Sequence, residues 1–157
     1  MRNCAFLVSG NVMLVMHNQN APSQDEWKLY LAGVLQMVRN CDGDLALTRQ
    51  IVFTDGGGPD VGQRQAAVDS IASFRNQDKA RVAVVSSSTI VRGIVTVFNW
   101  FKLNVKSFSP DRVNEAFKFL ELTPVQANWV FRSVDEQGRD IEGAPLKSTL
   151  GRRNLAV

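Results

Sequence analysis

An Asp-Gly-Gly-Gly loop at residues 55–58 is the first stretch whose residue types could bind a ligand. Glycines let backbone amides approach an anion closely, and a helix that begins after such a loop directs its first N–H groups at the same point. The spacing fails the known phosphate motifs, because no Gly-Lys-Ser/Thr follows and Val61 stands where a dinucleotide fingerprint has its third glycine. Asp55 would also repel a phosphate unless a cation, or Arg64 about one turn into the helix, offset its charge. We therefore favour a strand-to-helix turn with unusual backbone angles over a phosphate site.

A second candidate anion site combines Ser86, Ser87 and Ser88 with Arg92. Hydroxyl groups, first-turn amides and a guanidinium about one turn further along a helix could converge on one oxyanion. The alternative is ordinary N-capping of a helix beside a solvated arginine, because serines commonly precede helices. We favour the capping interpretation.

The sequence contains few of the residue types that catalysis and metal binding commonly require. The chain has one histidine, His17, and two cysteines, Cys4 and Cys41. Most zinc sites and the Ser-His and Cys-His pairs therefore lack a required part, and we expect no catalytic residues, no metal and no cofactor. The cysteines match neither a metal-ligand spacing nor a disulfide framework, which predicts free thiols in a cytoplasmic protein. The 18 basic and 15 acidic residues give +3 without a basic stripe, so we expect no nucleic-acid binding.

The 157 residues, 45% apolar and 21% charged, suit one globular domain. The apolar stretch at residues 4–16 resembles a secretory signal, but Ser-Gly-Asn at residues 9–11 interrupts it and no cleavage site follows. Two short strands joined by a hairpin turn, about residues 5–8 and 12–16, are the favoured interpretation. No apolar run reaches the ~20 residues of a membrane span.

Helices and strands are predicted to alternate after the hairpin. A Ser-x-x-Glu capping box at Ser23 begins a helix, and Pro59 suits the first position of another. The predicted strands are residues 45–53, 82–85 and 105–108, and further helices are predicted at about 89–101, after Ser109-Pro110 and after Thr123-Pro124.

This order predicts an α/β fold in which an opening β-hairpin is followed by repeated strand-helix units. They form a mixed, largely parallel sheet with helices packed on it. The domain is expected to cover residues 1–134, with residues 135–157 as an irregular or mobile C-terminal tail. Ligands of such sheets bind beyond the carboxyl ends of the strands, where residues 55–58 and 86–88 are expected.

The helix predicted at about residues 89–101 is apolar around nearly its whole circumference, whereas a surface helix needs only one apolar stripe. We therefore expect another part of the protein, or another molecule, to cover the apolar face of this helix that does not pack on the sheet. Burial under the C-terminal helix is one explanation, and an oligomer interface or a small apolar pocket is the other. The residues of this possible interface are Ile90, Ile94, Val97, Trp100 and Phe101.

The element order resembles the STAS fold, within the STAS/SEC14-like grouping of stand-alone bacterial proteins. The resemblance covers roughly residues 5–122 and rests on Phe-Thr-Asp-Gly-Gly-Gly at 53–58, on the segment 81–88, on Arg-Gly-Ile-Val-Thr at 92–96 followed by Trp100-Phe101, and on Phe-Ser-Pro at 108–110. In STAS antagonists a strand ends in aspartate, and a phosphorylatable serine or threonine follows at the start of the next helix. Phosphorylation there releases a kinase-like partner.

The resemblance implies a non-enzymatic protein-interaction or regulatory module with a protein partner or self-association. Its phosphorylation switch is expected to be missing, because glycines occupy the hydroxyl positions after the matching aspartate. An alternative is a binder of a small anionic or lipid-like ligand at the carboxyl ends of the parallel strands. The partner-binding loop that the resemblance implies comprises Asp55, Gly56, Gly57, Gly58, Asp60 and Arg64.

Overall fold

A computed structural model describes residues 2–88 and 103–141, and its described strands form one sheet of order β1-β2-β3-β4-β5. β1 and β2 pair antiparallel, and every later pair is parallel, which confirms the predicted α/β fold with a mixed sheet. The strands are β1 (Cys4–Ser9), β2 (Val12–His17), β3 (Arg49–Thr54), β4 (Arg81–Val85) and β5 (Asn104–Phe108).

The described α-helices lie on both faces of the sheet. Successive side chains of each strand point to opposite faces, so each face carries its own set of core residues. They are α1 (Gln24–Asn40), α2 (Val61–Ile71), α3 (Val113–Phe119) and α4 (Pro124–Gln137). α1 and α2 cover the face that carries Met13 and Val15 of β2. α3 and α4 cover the opposite face, which carries Leu14 and Met16.

Local sequence signals explain where several elements begin. The hairpin turns at Gly10, whose φ of +57° favours glycine. α1 begins with the predicted capping box, since Ser23 Oγ accepts from Glu26 N at 3.1 Å and Glu26 Oε2 accepts from Ser23 N at 2.7 Å. Thr123 and Gln126 form the same reciprocal arrangement at the start of α4.

Two predicted boundaries around β3 are wrong. Residues 45–47 form a 3-10 turn rather than the start of the strand, because the carboxylate of Asp44 accepts from Ala46 N at 3.0 Å and caps that turn. Pro59 precedes α2 instead of starting it. The helix begins at Val61 because Asp60 and Gln63 form its capping box, which places the N-cap at Asp60, one residue after the proline.

The later part of the chain also differs from the prediction. Pro110–Arg112 forms a 3-10 turn without a cap from Ser109, and α3 begins only at Val113. α4 continues to Gln137, beyond the point where an irregular tail was expected. Ile141 is fully buried and bridges to Arg2, whose N–H donates to Asp140 O at 3.1 Å. The rest of the predicted tail, and the predicted helix at 89–101, lie outside the described residues.

Candidate functional site

The carboxyl ends of β2 and β3 meet at one edge of the sheet, as expected for parallel strands. His17 and Thr54 are register partners there, and both are buried. Ser86 follows β4 at the same edge and is also fully buried. The structure therefore brings the two predicted loops, at residues 55–58 and 86–88, to the same end of the parallel strands.

The glycine loop is held in one shape by hydrogen bonds. Thr54 Oγ1 accepts from Gly56 N at 3.1 Å and donates to Gly57 O at 2.9 Å, and Gly57 N donates to Asn18 O at 2.9 Å. Gly56 has a φ of +123°, which confirms the turn with unusual backbone angles. A Cβ on Gly57 would lie 2.2 Å from Asn20 O, so this loop cannot be rebuilt with larger residues at that position.

α2 begins directly after this loop. Asp60 is exposed, but its carboxylate accepts from Gln63 N at 2.8 Å and so serves the helix N-terminus. The Gln63 side chain in turn donates to Pro22 O at 2.9 Å, and Gln63 O accepts from Trp27 Nε1 at 2.7 Å. Val61 stands out in this well-connected region because 69% of it is exposed.

Ser86, the first residue of the serine cluster, is hydrogen-bonded within the fold. Ser86 Oγ accepts from Ser88 N at 3.2 Å, and Ser86 N donates to Phe108 O at 3.0 Å. Ser87 is exposed. The guanidinium of Arg92 and the possible interface residues Ile90, Ile94, Val97, Trp100 and Phe101 lie outside the described residues, so the anion site and that interface stay predictions.

A cavity of about 320 Å³ lies between the sheet and helices α1 and α2, and its lining extends to the glycine loop at the carboxyl edge. Gly56, Gly57, Gly58 and Arg64 of the predicted partner-binding loop line it, whereas Asp55 and Asp60 do not. The other described residues that line the cavity come from the strands, from α1 and α2, and from the segments next to them: Val15, His17, Trp27, Tyr30, Gln50, Val52, Thr54, Pro59, Ala67, Val82, Val84, Leu103 and Val105.

His17 and Cys4 form a buried pair that the sequence interpretation missed. His17 Nε2 lies 3.8 Å from Cys4 Sγ. Burial lowers the pKa of His17 to about 4, although the nearby charge of Glu26 opposes this shift. Burial, and then the charge of Glu26, raise the pKa of Cys4 to about 12. A neutral imidazole beside a protonated thiol is not an activated nucleophile, so the contact does not create a Cys-His catalytic pair.

Glu26 closes this polar cluster from α1. Its Oε1 accepts from Asn3 N at 2.8 Å and from Cys4 N at 3.3 Å. Burial alone would raise the pKa of Glu26, but these bonds and that from Ser23 N lower it overall. The carboxylate therefore fixes the start of β1 against the start of α1.

Within residues 2–88 and 103–141, no group of three or more His, Cys, Asp or Glu side chains is placed to hold a metal ion. None of the helices in those ranges combines the length and apolar character needed to cross a bilayer.

These features define the class of domain: a mixed α/β sheet with a rigid glycine loop and a cavity at the carboxyl edge of its parallel strands. Comparison with protein-family models, with curated proteins and with solved structures found no match to this chain.

Proposed function

We propose that the chain is a non-enzymatic regulatory module that binds a protein partner, or a second copy of itself, through the loop surface. The loop surface comprises residues 55–60 and the first turn of α2. The observation that carries the proposal is Val61, an apolar residue with 69% exposure beside the glycine loop. When a partner covers an exposed apolar side chain beside a rigid loop, apolar surface is removed from water without the cost of ordering that loop.

The rigidity of the loop supports this role energetically. Association costs free energy when a mobile loop must be ordered. Here Thr54, Gly56 and Gly57 are already joined by hydrogen bonds, and Gly57 is joined to Asn18. The loop therefore offers its backbone to a partner without a large loss of conformational entropy.

The resemblance to STAS domains leads to the same surface. In those proteins the partner contacts the region after the strand that ends in aspartate, which corresponds to Asp55 here. We propose that binding at this surface does not depend on phosphorylation. The nearest hydroxyl, Thr54, is only 4% exposed and is engaged on both sides of the loop.

The chemistry of the buried groups supports a role without catalysis. His17, the one histidine, is buried and held neutral near pH 7 by its low pKa, and its neighbour Cys4 stays protonated. Cys4 and Cys41 are both free and buried, which supports our proposal of a cytoplasmic, reducing environment.

A comparison of three chains tests the loop surface: the wild type, Val61→Asp and the control Val125→Asp. Val125 is 76% exposed in the first turn of α4, so the control introduces the same charge in the first turn of another helix. Each chain is immobilised and exposed to the same cell lysate, and the proteins that it retains are measured by quantitative mass spectrometry. We expect at least one protein that Val61→Asp loses and Val125→Asp keeps.

Native mass spectrometry covers the case of self-association. A second copy as the partner appears as a dimer that Val61→Asp converts to a monomer and Val125→Asp leaves intact. Equal retention by all three chains, together with a monomeric wild type, would contradict the proposal.

A further inference from the structure

The cavity beneath the glycine loop has the size of a small-molecule site. Its volume is about 320 Å³. A dry protein cavity of about 150 Å³ can hold benzene, and ligand pockets begin at roughly 300 Å³. The volume therefore suits a molecule of about two fused rings. A smaller cavity of about 60 Å³ adjoins it and shares Tyr30, Gln50, Ala67, Val82 and Leu103.

The walls favour an apolar and planar ligand body. Trp27 and Tyr30 line the cavity from α1, and their rings stack with centroids 4.5 Å apart. The polar atoms of both rings are already engaged, since Trp27 Nε1 donates to Gln63 O and Tyr30 Oη accepts from Gln50 Nε2 at 3.0 Å. The valines of β2 to β5 form the floor. These rings and valines offer a ligand van der Waals contact rather than hydrogen bonds.

One end of the cavity is polar, and it contains an unsatisfied group. His17 lines this end and is 5% exposed, and its Nδ1 has no hydrogen-bond partner among the described residues. An unsatisfied buried nitrogen costs free energy that a ligand can recover by bonding to it. Arg64 also lines the cavity, but it already has an interaction partner within the fold.

We infer that this cavity binds a small, uncharged, largely apolar molecule of about two fused rings whose single hydroxyl or amide group bonds to His17. A charged group would lose its hydration among the apolar walls. The neutral imidazole would not compensate for that loss, and Arg64, the one cation among the described lining residues, already has an interaction within the fold. This site is distinct from the exposed loop surface of the proposed function, although the glycine loop borders both.

A series of three naphthalene probes tests the inference on the full chain labelled with ¹⁵N-histidine. Because His17 is the one histidine, the spectrum reports this ring alone. We expect 2-naphthol to bind and to shift the ¹⁵N signals. Naphthalene, without the hydroxyl, should bind roughly 3- to 10-fold more weakly, which corresponds to one net hydrogen bond. The anionic 2-naphthoate should bind more weakly than 2-naphthol.

Two of the results would overturn the inference. Tightest binding of 2-naphthoate would show that the site recognises anions. The absence of any shift with all three probes at their solubility limits would show that the cavity takes no ligand of this class.

Matched variants locate the binding in the cavity. Ala67→Phe should fill it, since Ala67 lines it from α2, and should weaken 2-naphthol binding at least about tenfold. Ala66→Phe makes the same change on the exposed face of α2 and should bind like the wild type. Wild-type affinity in Ala67→Phe would overturn the inference.

A further variant serves if Ala67→Phe does not fold. His17→Phe keeps a ring of similar size without its nitrogens. It should remove the preference for 2-naphthol over naphthalene, and an unchanged preference would also contradict the inference. The probes do not use Val61, so failure here and failure of the partner proposal are distinguishable.

Discussion

The pH dependence of stability between about pH 5 and pH 7.5 should come mainly from His17, because carboxylates titrate below this window. The folded chain has a His17 pKa of about 4, against an ordinary value of 6.5. Between these values the unfolded chain binds a proton that the folded chain does not. The contribution of His17 to the free energy of unfolding is therefore fully present above about pH 6.5 and is lost as the pH falls towards 4.

The size of the effect follows from the shift. At about 1.4 kcal/mol per pKa unit, the difference between 6.5 and about 4 corresponds to roughly 3 kcal/mol in full. At about pH 5 the unfolded imidazole is almost fully protonated and the folded one is still neutral. The free energy of unfolding should thus be about 2 kcal/mol lower at about pH 5 than at pH 7.5.

Urea unfolding followed by circular dichroism at the two pH values measures this difference. His17→Phe should reduce it to under about 0.5 kcal/mol, because no other histidine remains. Val15→Ala is the matched control: it shortens a buried residue on the same strand and the same sheet face, and keeps His17. This control should lower stability at both pH values and keep the difference. Equal wild-type stability at both values, or an unchanged difference in His17→Phe, would refute the reasoning.

Two further predictions concern backbone space and thiol reactivity. Gly57→Ala should destabilise the chain by about 2 kcal/mol or more in urea unfolding, because its Cβ would meet backbone oxygens at 2.2 and 2.4 Å. Gly58→Ala, where nothing lies within 4 Å, should change stability by under about 0.5 kcal/mol, and equal losses in both variants would contradict the clash. Cys4 and Cys41 should react with iodoacetamide at neutral pH only after unfolding, because burial raises the pKa of both thiols. Mass spectrometry of the native chain counts the labels, and rapid labelling of Cys4 would show that the pair with His17 is open.

The sequence was most informative where short-range signals decide the structure. The capping box at Ser23 depends on residues three positions apart, the start of α4 depends on the adjacent Thr123 and Pro124, and the hairpin depends on Gly10 between two apolar runs. The boundaries around β3 were wrong because competing local signals overlap there. Asp44 and Asp60 are good helix caps, and each outweighed the strand or proline pattern beside it.

The chemistry of the site was harder to predict because it depends on contacts between distant residues. The contact of Cys4 with His17 was accessible in principle, since a hairpin that turns at residues 9–12 places these two opposite each other. The cavity was not accessible, because its shape depends on how α1 and α2 rest on the sheet. No spacing in the sequence indicated that Trp27 and Ala67 line the same space.

The bridge between Arg2 and Ile141 has a consequence for how the chain folds during synthesis. β1 and β2 can pair as soon as they leave the ribosome, but the face with Leu14 and Met16 is covered by α4, which is made more than a hundred residues later. Such late, long-range closure slows folding and leaves apolar surface open meanwhile. Nascent chains that stop before α4 should therefore be the form of this protein most dependent on chaperones.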